Sequence, residues 1–413
     1  MTPDFMRLVD KWLGIPLCLV FSAVQRLLRP FARKNSPEEI RKILIVQISE
    51  RGAVILGYSA LCKLKELFPG AELSYVIFEE MKESITLLGN IPESSIFTIS
   101  SRSLTAFFLS TLKMISAVRR KKIDAVLDFE LFSRLSAIIS YFCGASIRAG
   151  FNKFHMEGLY RGSLHTHRVS YNHLKHISFN FLSLAYALQE DPGAIPLTKV
   201  KARAEDIQIP RMVSTAEEQE RMLAKLKKIC PDIDRRQTIL LINPNGSDLL
   251  PLRRWPMENY IELSRKLLVH PSVYIVITGS RPEKKDATLI CDALRSRRCI
   301  NLAGETTFRE LIDLYTIAHL LVSNDSGPPN LASLTAIKTL VFFGPETPSC
   351  YKPLGDHIEV LYADFLCSPC VSAYNHRKSA CRDNRCLKAI AVDEVVKKIE
   401  TLLPHLGGAA ISR

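Results

Sequence analysis

The stretch Leu320 to Leu334, LLVSNDSGPPNLASL, carries an apolar run into a helix-like one through polar residues and a tight turn. A buried strand ending at Asn324 and Asp325 leaves a carboxylate at its tip, where it can accept hydrogen bonds from sugar hydroxyls. Ser326 and Gly327 make the turn, and Pro328 and Pro329 suit the first turn of a helix, where a missing N–H costs little. The free N–H groups of such a turn, with the positive end of the helix dipole, hold a phosphate well. The same residues also describe an N-capped helix with no ligand, so the chemistry depends on what accompanies them.

Three other loops accompany them. NPNGSDLLPLRRWP, Asn243 to Pro256, places the backbone amides of Asn245, Gly246 and Ser247 after a strand, then Arg253, Arg254 and Trp255 at a helix entry. Amides of that kind cradle a diphosphate while a guanidinium neutralises it. ITGSRPEK offers Gly279 for close backbone approach and Glu283 for a ribose or base. NLAGETTFREL adds Gly304, then Glu305, Thr306 and Thr307 at a helix start. Strand-end loops so rich in anion- and hydroxyl-binding groups imply a sugar-nucleotide pocket.

The elements that position these loops alternate regularly. TILLIN, VYIVITG, CINLAG, LLVSND and TLVFFG are strand-like and separated by helical lengths, the pattern of βαβ units. An earlier series repeats it: KILIVQI, AELSYVIF and AVLDFE, the first a continuous apolar run of the type buried on both faces of a parallel sheet. The expected architecture is therefore α/β, two Rossmann-like doubly wound domains in tandem facing a central cleft. Residues 41–205 form the first domain, and residues 206–387 the second, with a cysteine cluster at 367–386. Residues 388–413 form a terminal helix and tail. Ligands in such sheets bind outside the carboxyl ends of the strands.

Composition bounds the partners. The 413 residues, 47% hydrophobic and 23% charged, are those of an ordinary globular chain. A net charge of +13 points to an anionic partner. Nucleic acid is not expected, because the basic residues are scattered and no nucleic-acid-binding motif is present. In residues 1–40, the apolar run Trp12 to Val24 is flanked by Lys11 and by Arg26, Arg29, Arg33 and Lys34. It is short for a spanning helix, which needs about 20 residues. A helix lying on an anionic membrane surface is expected, with packing on the protein's own surface as the alternative.

In this order, NPNGS…RRWP, ITGSRPE, NLAGETTFREL, VSNDSGPPNLASL and FFGPETP resemble glycosyltransferase family 9, the ADP-heptose:lipopolysaccharide heptosyltransferases. KILIVQISERGAVILGYSALCKLKELFPGAELSYVI and CGASIRAGF resemble that family's first domain, so the likeness runs over residues 41 to 400. The resemblance implies a GT-B fold, with the acceptor on the first domain and the nucleotide sugar on the second. It implies an inverting reaction in which a carboxylate deprotonates the acceptor hydroxyl. No cofactor is required, because basic side chains and a helix N-terminus stabilise the leaving diphosphate. By position Asp325 is the sugar-binding aspartate, and Arg253 stands where a phosphate-contacting lysine is usual. Glu283 matches a nucleotide-side glutamate, and Asn330 replaces a common histidine.

The family's base is an aspartate in a Leu-Gly-Asp turn, but here Gly52 is followed by Ala53. A methyl group takes no proton. Glu130 is the preferred replacement, at the end of a strand on the acceptor side, with Asp128 and Glu50 as the other carboxylates in reach. A salt bridge from Glu130 to Arg134 is its bland alternative. Gly52 would let the acceptor approach, and Arg161, Arg168 and His176, in a segment rich in histidine, would bind it. If no carboxylate serves, either the acceptor is acidic enough to need little help or the protein is a catalytically silent nucleotide-sugar or glycolipid binder; a sugar-nucleotide epimerase of similar shape is a weaker alternative.

Seven cysteines are scattered singly, as reduced thiols in a cytoplasmic protein are. Cys367, Cys370, Cys381 and Cys386 cluster instead, and four thiolates can hold structural zinc or iron. Free thiols or disulfides are the alternatives. The expected function is transfer of heptose from ADP-heptose to a lipopolysaccharide core or other lipid-linked glycan, by a cytoplasmic protein peripheral to the inner membrane.

Overall fold

The alternating apolar runs fold into two parallel sheets of six strands each. The computed structural model describes residues 3–28, 30, 36–48, 51–153, 159–246, 250–375 and 377–407. The chain divides into two units, Met1–Ile209 with Ser372–Arg377, and Pro210–Val371 with Lys378–Arg413.

The first unit opens with helices α1 (Pro3–Trp12) and α2 (Gly14–Leu28). Strand β1 (Lys42–Val46) leads through α3 (Arg51–Leu56) and α4 (Tyr58–Leu67) to β2 (Glu72–Phe78), and α5 (Lys82–Leu88) to β3 (Ile96–Ile99). The long α6 (Leu104–Lys121) then returns to β4 (Ala125–Asp128), followed by α7 (Arg134–Phe142), β5 (Ile147–Phe151), β6 (His167–Val169) and α8 (Ile177–Tyr186). The sheet order is β3-β2-β1-β4-β5-β6, so the order reverses between β1 and β4. Ile43, Leu44, Ile45 and Val46 are all fully buried, as strands covered by helices on both faces must be. Leu44 and Val46 pack with Met114 and Val118 of α6 and Ile139 of α7 in one cluster.

The second unit repeats the plan. It runs α9 (Ala216–Ile229), β7 (Thr238–Asn243), α10 (Met257–Leu267), β8 (Val273–Ile277), α11 (Lys284–Leu294) and β9 (Cys299–Asn301). Then come α12 (Phe308–Ile317), β10 (Leu320–Asn324), α13 (Gly327–Ala332), β11 (Lys338–Phe343) and β12 (Ile358–Tyr362). The order β12-β11-β10-β7-β8-β9 reverses between β7 and β10. Helix starts follow their capping chemistry: the Thr215 hydroxyl accepts from the Glu218 amide and the Glu218 carboxylate from the Thr215 amide, and Thr307 with Glu310 repeats the box.

Two expected boundaries change. Residues 1–40 are not a separate segment, because α1 and α2 pack on α7: Cys18 is buried in a cluster with Ala137 and Leu164. Nor is the C-terminal helix Val392–Leu402 separate, since Val395 and Ile399 enter the core of the second unit with Trp255. The Trp255 indole N–H donates to the Ile390 carbonyl at 3.0 Å, which ties that end of the chain down.

Candidate active site

In open parallel sheets the ligand crevice lies where the strand order reverses. In the second unit that point is between β7 and β10, and the loops beyond them are stitched together by Asn324. Its side-chain amide donates to the Pro244 and Asn245 carbonyls at 2.8 and 3.2 Å, and its carbonyl oxygen accepts from the Trp255 amide at 2.9 Å. Asn324 is fully buried, and nothing in its residue type announced this role. On the other side, Asn243 donates to the Thr278 carbonyl at 3.1 Å, which joins the loop after β8.

Asp325 sits at this junction, buried beside Arg253 and a carboxylate that the sequence reading passed over. One guanidinium nitrogen of Arg253 lies 3.2 Å from Asp325 Oδ2 and 3.1 Å from Glu346 Oε2. Glu346, in the loop after β11, is only 1% exposed. The three side chains crowd one guanidinium and two carboxyl groups into a space that water barely reaches. Burial pushes the Asp325 carboxyl up to about 7; the Glu346 charge adds to the rise and Arg253 opposes it. A carboxyl group so placed is well suited to hydrogen bonding with sugar hydroxyls, as acceptor or as protonated partner.

Around this centre the expected sugar-nucleotide residues fall unevenly. Asn245 is buried, and its side-chain Nδ2 has no hydrogen-bond partner among the described residues. Gly279 makes room for it: a Cβ there would stand 2.9 Å from that nitrogen. The buried Oδ1 of Asn330 also has no partner among the described residues, while its Nδ2 donates to the Ser326 carbonyl at 3.0 Å. An orphaned buried donor and an orphaned buried acceptor are what a ligand would satisfy. The Gly246 carbonyl accepts from Arg254 at 2.7 Å, which fixes the loop's shape. Ser247 lies outside the described residues.

Two expectations change. Helix α13 spans only Gly327–Ala332, with prolines in its first turn. Pro328 and Pro329 have no N–H, so Gly327 is left as the first-turn amide donor and the helix start is a poorer phosphate site than expected. Ser326, at its N-cap, donates its hydroxyl to the Asn324 carbonyl at 3.1 Å rather than capping the helix. Glu283, expected to meet the nucleotide, accepts from the Ser280 amide and hydroxyl at 2.6 and 2.7 Å, which makes it the cap of its own turn.

In the first unit the reversal point is between β1 and β4, and here the candidate carboxylates separate. Asp128 is wholly buried, held by the Arg161 guanidinium, the Ser136 hydroxyl at 3.0 Å and His165 Nε2 at 3.1 Å. Burial alone would raise its pKa, but Arg161, His165 and Ser136 outweigh that and hold the carboxyl below its ordinary value. With its oxygens engaged, Asp128 is a structural anion and not an accessible base. Glu130 differs. Its Oε1 accepts from the Ile48 amide at 2.7 Å, which carries the carboxylate across the reversal point to the end of β1. Gly52 and Ala53 follow in sequence, in α3. Glu50 lies outside the described residues. The alternative partner for Glu130, Arg134, has its guanidinium on Asp10 at 3.0 Å.

The loop that carries Glu130 is tightly specified. Phe132 is held at φ 61°, a left-handed conformation that bulky residues rarely enter, with its ring against Tyr171 and Tyr374. Arg161 completes the support, donating to the Ser133, Phe151 and Glu130 carbonyls at 2.8, 3.0 and 3.3 Å. Arg161 was expected to bind the acceptor; its buried guanidinium instead holds the loop together. The other expected acceptor residues do not gather round it. Arg168 is exposed on the edge strand β6, and His176 caps α8, its Nδ1 accepting from the Ser178 amide at 3.3 Å. Gly52 is half-buried in α3.

The four clustered cysteines lie near one another: burial raises the Cys386 thiol, and the Cys370, Cys381 and Cys367 thiols add to the rise. Among the described residues, however, no group of three or more His, Cys, Asp or Glu side chains is arranged to hold a metal ion. As placed, the four do not fit zinc or iron. Cys381 donates instead to the Asp383 carbonyl at 3.1 Å, and Ser379 donates to the Cys370 sulfur at 3.1 Å.

Comparison with known proteins shows the chain's family. The family model for glycosyltransferase family 9 (heptosyltransferase) matches residues 111–380. The lipooligosaccharide heptosyltransferase 2 of Haemophilus ducreyi is 26% identical over 325 residues, which span 78% of this chain and 88% of that protein. Its counterpart in Haemophilus influenzae is 24% identical over 77% of this chain and 88% of that protein. Among solved structures, the E. coli ADP-heptose LPS heptosyltransferase II superposes with a TM-score of 0.67 at 20% identity, over 88% of this chain and 99% of that one. A glycosyltransferase family 9 protein from Veillonella parvula also gives 0.67, at 17% identity over 91% of this chain and 99% of that one. With its paired six-stranded parallel sheets in the GT-B plan, the chain belongs to glycosyltransferase family 9, the heptosyltransferases, and is a glycosyltransferase.

Proposed function

We propose that this enzyme transfers heptose from ADP-heptose to a sugar hydroxyl of a lipopolysaccharide core, with Glu130 as the base. The observation that supports the catalytic part is the bond from the Ile48 amide to Glu130, which holds a carboxylate just past the end of β1, five residues before Ala53 in sequence. Asp325 and Glu346 bind the hydroxyls of the transferred sugar. Asn245 and Arg253 meet the diphosphate side, where Arg253 offsets the charge that develops on the leaving group. The acceptor oxygen attacks the anomeric carbon and gives its proton to Glu130. The bond from that carbon to the diphosphate oxygen breaks, ADP departs and the anomeric centre inverts. The enzyme acts at the cytoplasmic face of the inner membrane as a peripheral protein, a placement that the exposed apolar residues of α1 and α2 and their basic neighbours support.

Relatives named as heptosyltransferases do not favour the binding-only reading. Incubation with ADP-heptose and a heptose-deficient lipopolysaccharide, followed by ADP release, tests the proposal. Turnover that needs both substrates is expected. Tight sugar-nucleotide binding with no ADP release would leave only the silent binder.

A further inference from the structure

Segment 5–28 is long and apolar enough to cross a bilayer, yet it is fastened at both ends to the first unit. Near its start the Asp10 carboxylate accepts from the Arg134 and Leu135 amides at 2.9 and 3.0 Å and pairs with the Arg134 guanidinium. That carboxylate caps the N-terminus of α7, where a negative charge is most favourable. Farther along, the Ser22 hydroxyl accepts from the Ser163 amide at 2.8 Å. Between these points Gly162, at φ 68°, lets its chain close on the Cys18 carbonyl: a Cβ there would come within 2.7 Å. A helix held by polar bonds along its length does not thread through hydrocarbon. It lies along the side of the unit, over about 36 Å at 1.5 Å per residue.

Its outer face is apolar and uncovered. Trp12, Leu19 and Leu27 are 68%, 53% and 75% exposed. Helix α6 shows the same anomaly, with Phe108 and Leu109 at 62% and 66%. The two surfaces share one side of the sheet: Met6 of α1 packs on the cluster that includes Met114 and Val118 of α6 and Ile139 of α7. Neither α2 nor α6 contains an acidic residue. Asp10 of α1 is turned inward, while Lys11, Arg26, Lys113, Arg119 and Arg120 are exposed.

We propose that the outer faces of α1, α2 and α6 form one in-plane seat for an anionic lipid surface. This deepens the membrane-peripheral reading above and rests on it. The apolar side chains enter the headgroup boundary, and the basic residues beside them meet lipid phosphates. The complementary charge selects a bilayer over a second, equally basic copy of the chain. Because Asp10 and Ser22 fix α1 and α2 to the unit, the seat orients the whole first unit on the membrane and does not act as a flexible tether.

Flotation of the full chain with phosphatidylethanolamine vesicles that contain about one-third phosphatidylglycerol tests this, beside vesicles of phosphatidylcholine alone. The unaltered protein should float with the anionic vesicles only. F108E/L109E on α6 and W12E/L19E on the N-terminal helices should each cut recovery at least tenfold with an unchanged melting temperature. If the α6 pair floats normally while the N-terminal pair fails, the two-part seat is wrong and the simpler membrane reading stands. If both pairs float normally, the chain meets the vesicles elsewhere and the proposed seat is wrong; if the unaltered protein stays with neither vesicle, the membrane reading itself falls. Equal binding to neutral vesicles would overturn the charge argument. A dimer by light scattering that either pair breaks, without vesicle binding, would assign the face to a second copy.

Discussion

Arg161 and Asp128 meet inside the first unit with no part of either side chain exposed. The pair lies one layer beneath the proposed chemistry. Asp128 ends β4, Glu130 follows two residues on, and the same guanidinium that neutralises Asp128 also holds the Glu130 carbonyl. The position of the catalytic carboxylate is therefore set by a buried ion pair that touches no substrate.

Removing one partner strands the other. Arg161→Leu should cost about 3–5 kcal/mol, because Asp128 is left charged and unpaired in the core. The double variant R161L/D128L should recover only the part of that loss due to the stranded charge, because the Ser133, Phe151 and Glu130 carbonyls still lose their donor. Urea denaturation of the three proteins checks this. A single variant that loses less than about 1 kcal/mol would mean that the pair does not hold the loop.

His165 makes the same core sensitive to acid. Burial pushes its pKa down to about 4, and the nearby Arg161 charge adds to the fall, against the pull of Asp128. The unfolded chain, near its ordinary 6.5, then binds more protons than the folded one between about pH 6.5 and 4, so stability falls as pH drops through that window. His165→Phe should flatten the slope there. Melting temperatures at half-unit pH steps would show it, and an unchanged slope would place the acid-sensitive group elsewhere.

How far this was readable depends on where each signal lies. Strands β7, β8, β10 and β11 each carry an apolar run (ILLI, VYIVI, LLV and LVFF), and the sequence marks them plainly. Strand β5 is not so marked, because IRAGF carries Arg148 and Gly150; the buried guanidinium of Arg148 donates to the Leu164 and Ala145 carbonyls. The edge strand β12 is half-buried and includes Glu359, so its pattern is weak too. Asp325 and Arg253 were legible as charged groups at strand ends. Glu346 was not, since its meeting with Arg253, 93 residues away in sequence, is a product of the fold. Arg161 misled for the same reason: in a basic segment, nothing local separates a guanidinium bound for solvent from one bound for the core.

Glu346 should trade stability for binding. The folded pKa of Asp325 is raised to about 7, so its favourable contribution is full below its unfolded value and is lost as pH rises through 7. Glu346→Gln removes the like charge and leaves a neutral Arg253–Asp325 pair. The variant should gain about 1 kcal/mol at pH 8, roughly 2–4 °C in Tm, with little change at pH 4. If the carboxylate accepts a sugar hydroxyl, ADP-heptose affinity should fall about tenfold at the same time. Scanning calorimetry and titration calorimetry read the two effects separately.

The cysteine cluster can be read by alkylation. Cys367 and Cys381 are exposed, whereas Cys386 is half-buried with a raised pKa. Iodoacetamide at neutral pH should modify the first two at least about tenfold faster than Cys386, since reactivity follows thiolate fraction and access. Protection of all four until a chelator is added would mean that the segment closes around a metal after all.

The sharpest test concerns Ala53. Glu130→Gln keeps an oxygen to accept from the Ile48 amide, so the fold and sugar-nucleotide affinity should survive while the proton acceptor is lost. Transfer should fall by about 10²–10⁴ in kcat, the usual contribution of a general base. Gly52 and Ala53 lie in the first turn of α3, and Ala53 is half-buried. Ala53→Asp in the E130Q background should then restore part of the rate by returning a carboxylate to the turn. Rescue would show that the two positions serve the same proton. Full activity of E130Q alone would remove Glu130 from the mechanism and leave Glu50 as the next carboxylate to replace.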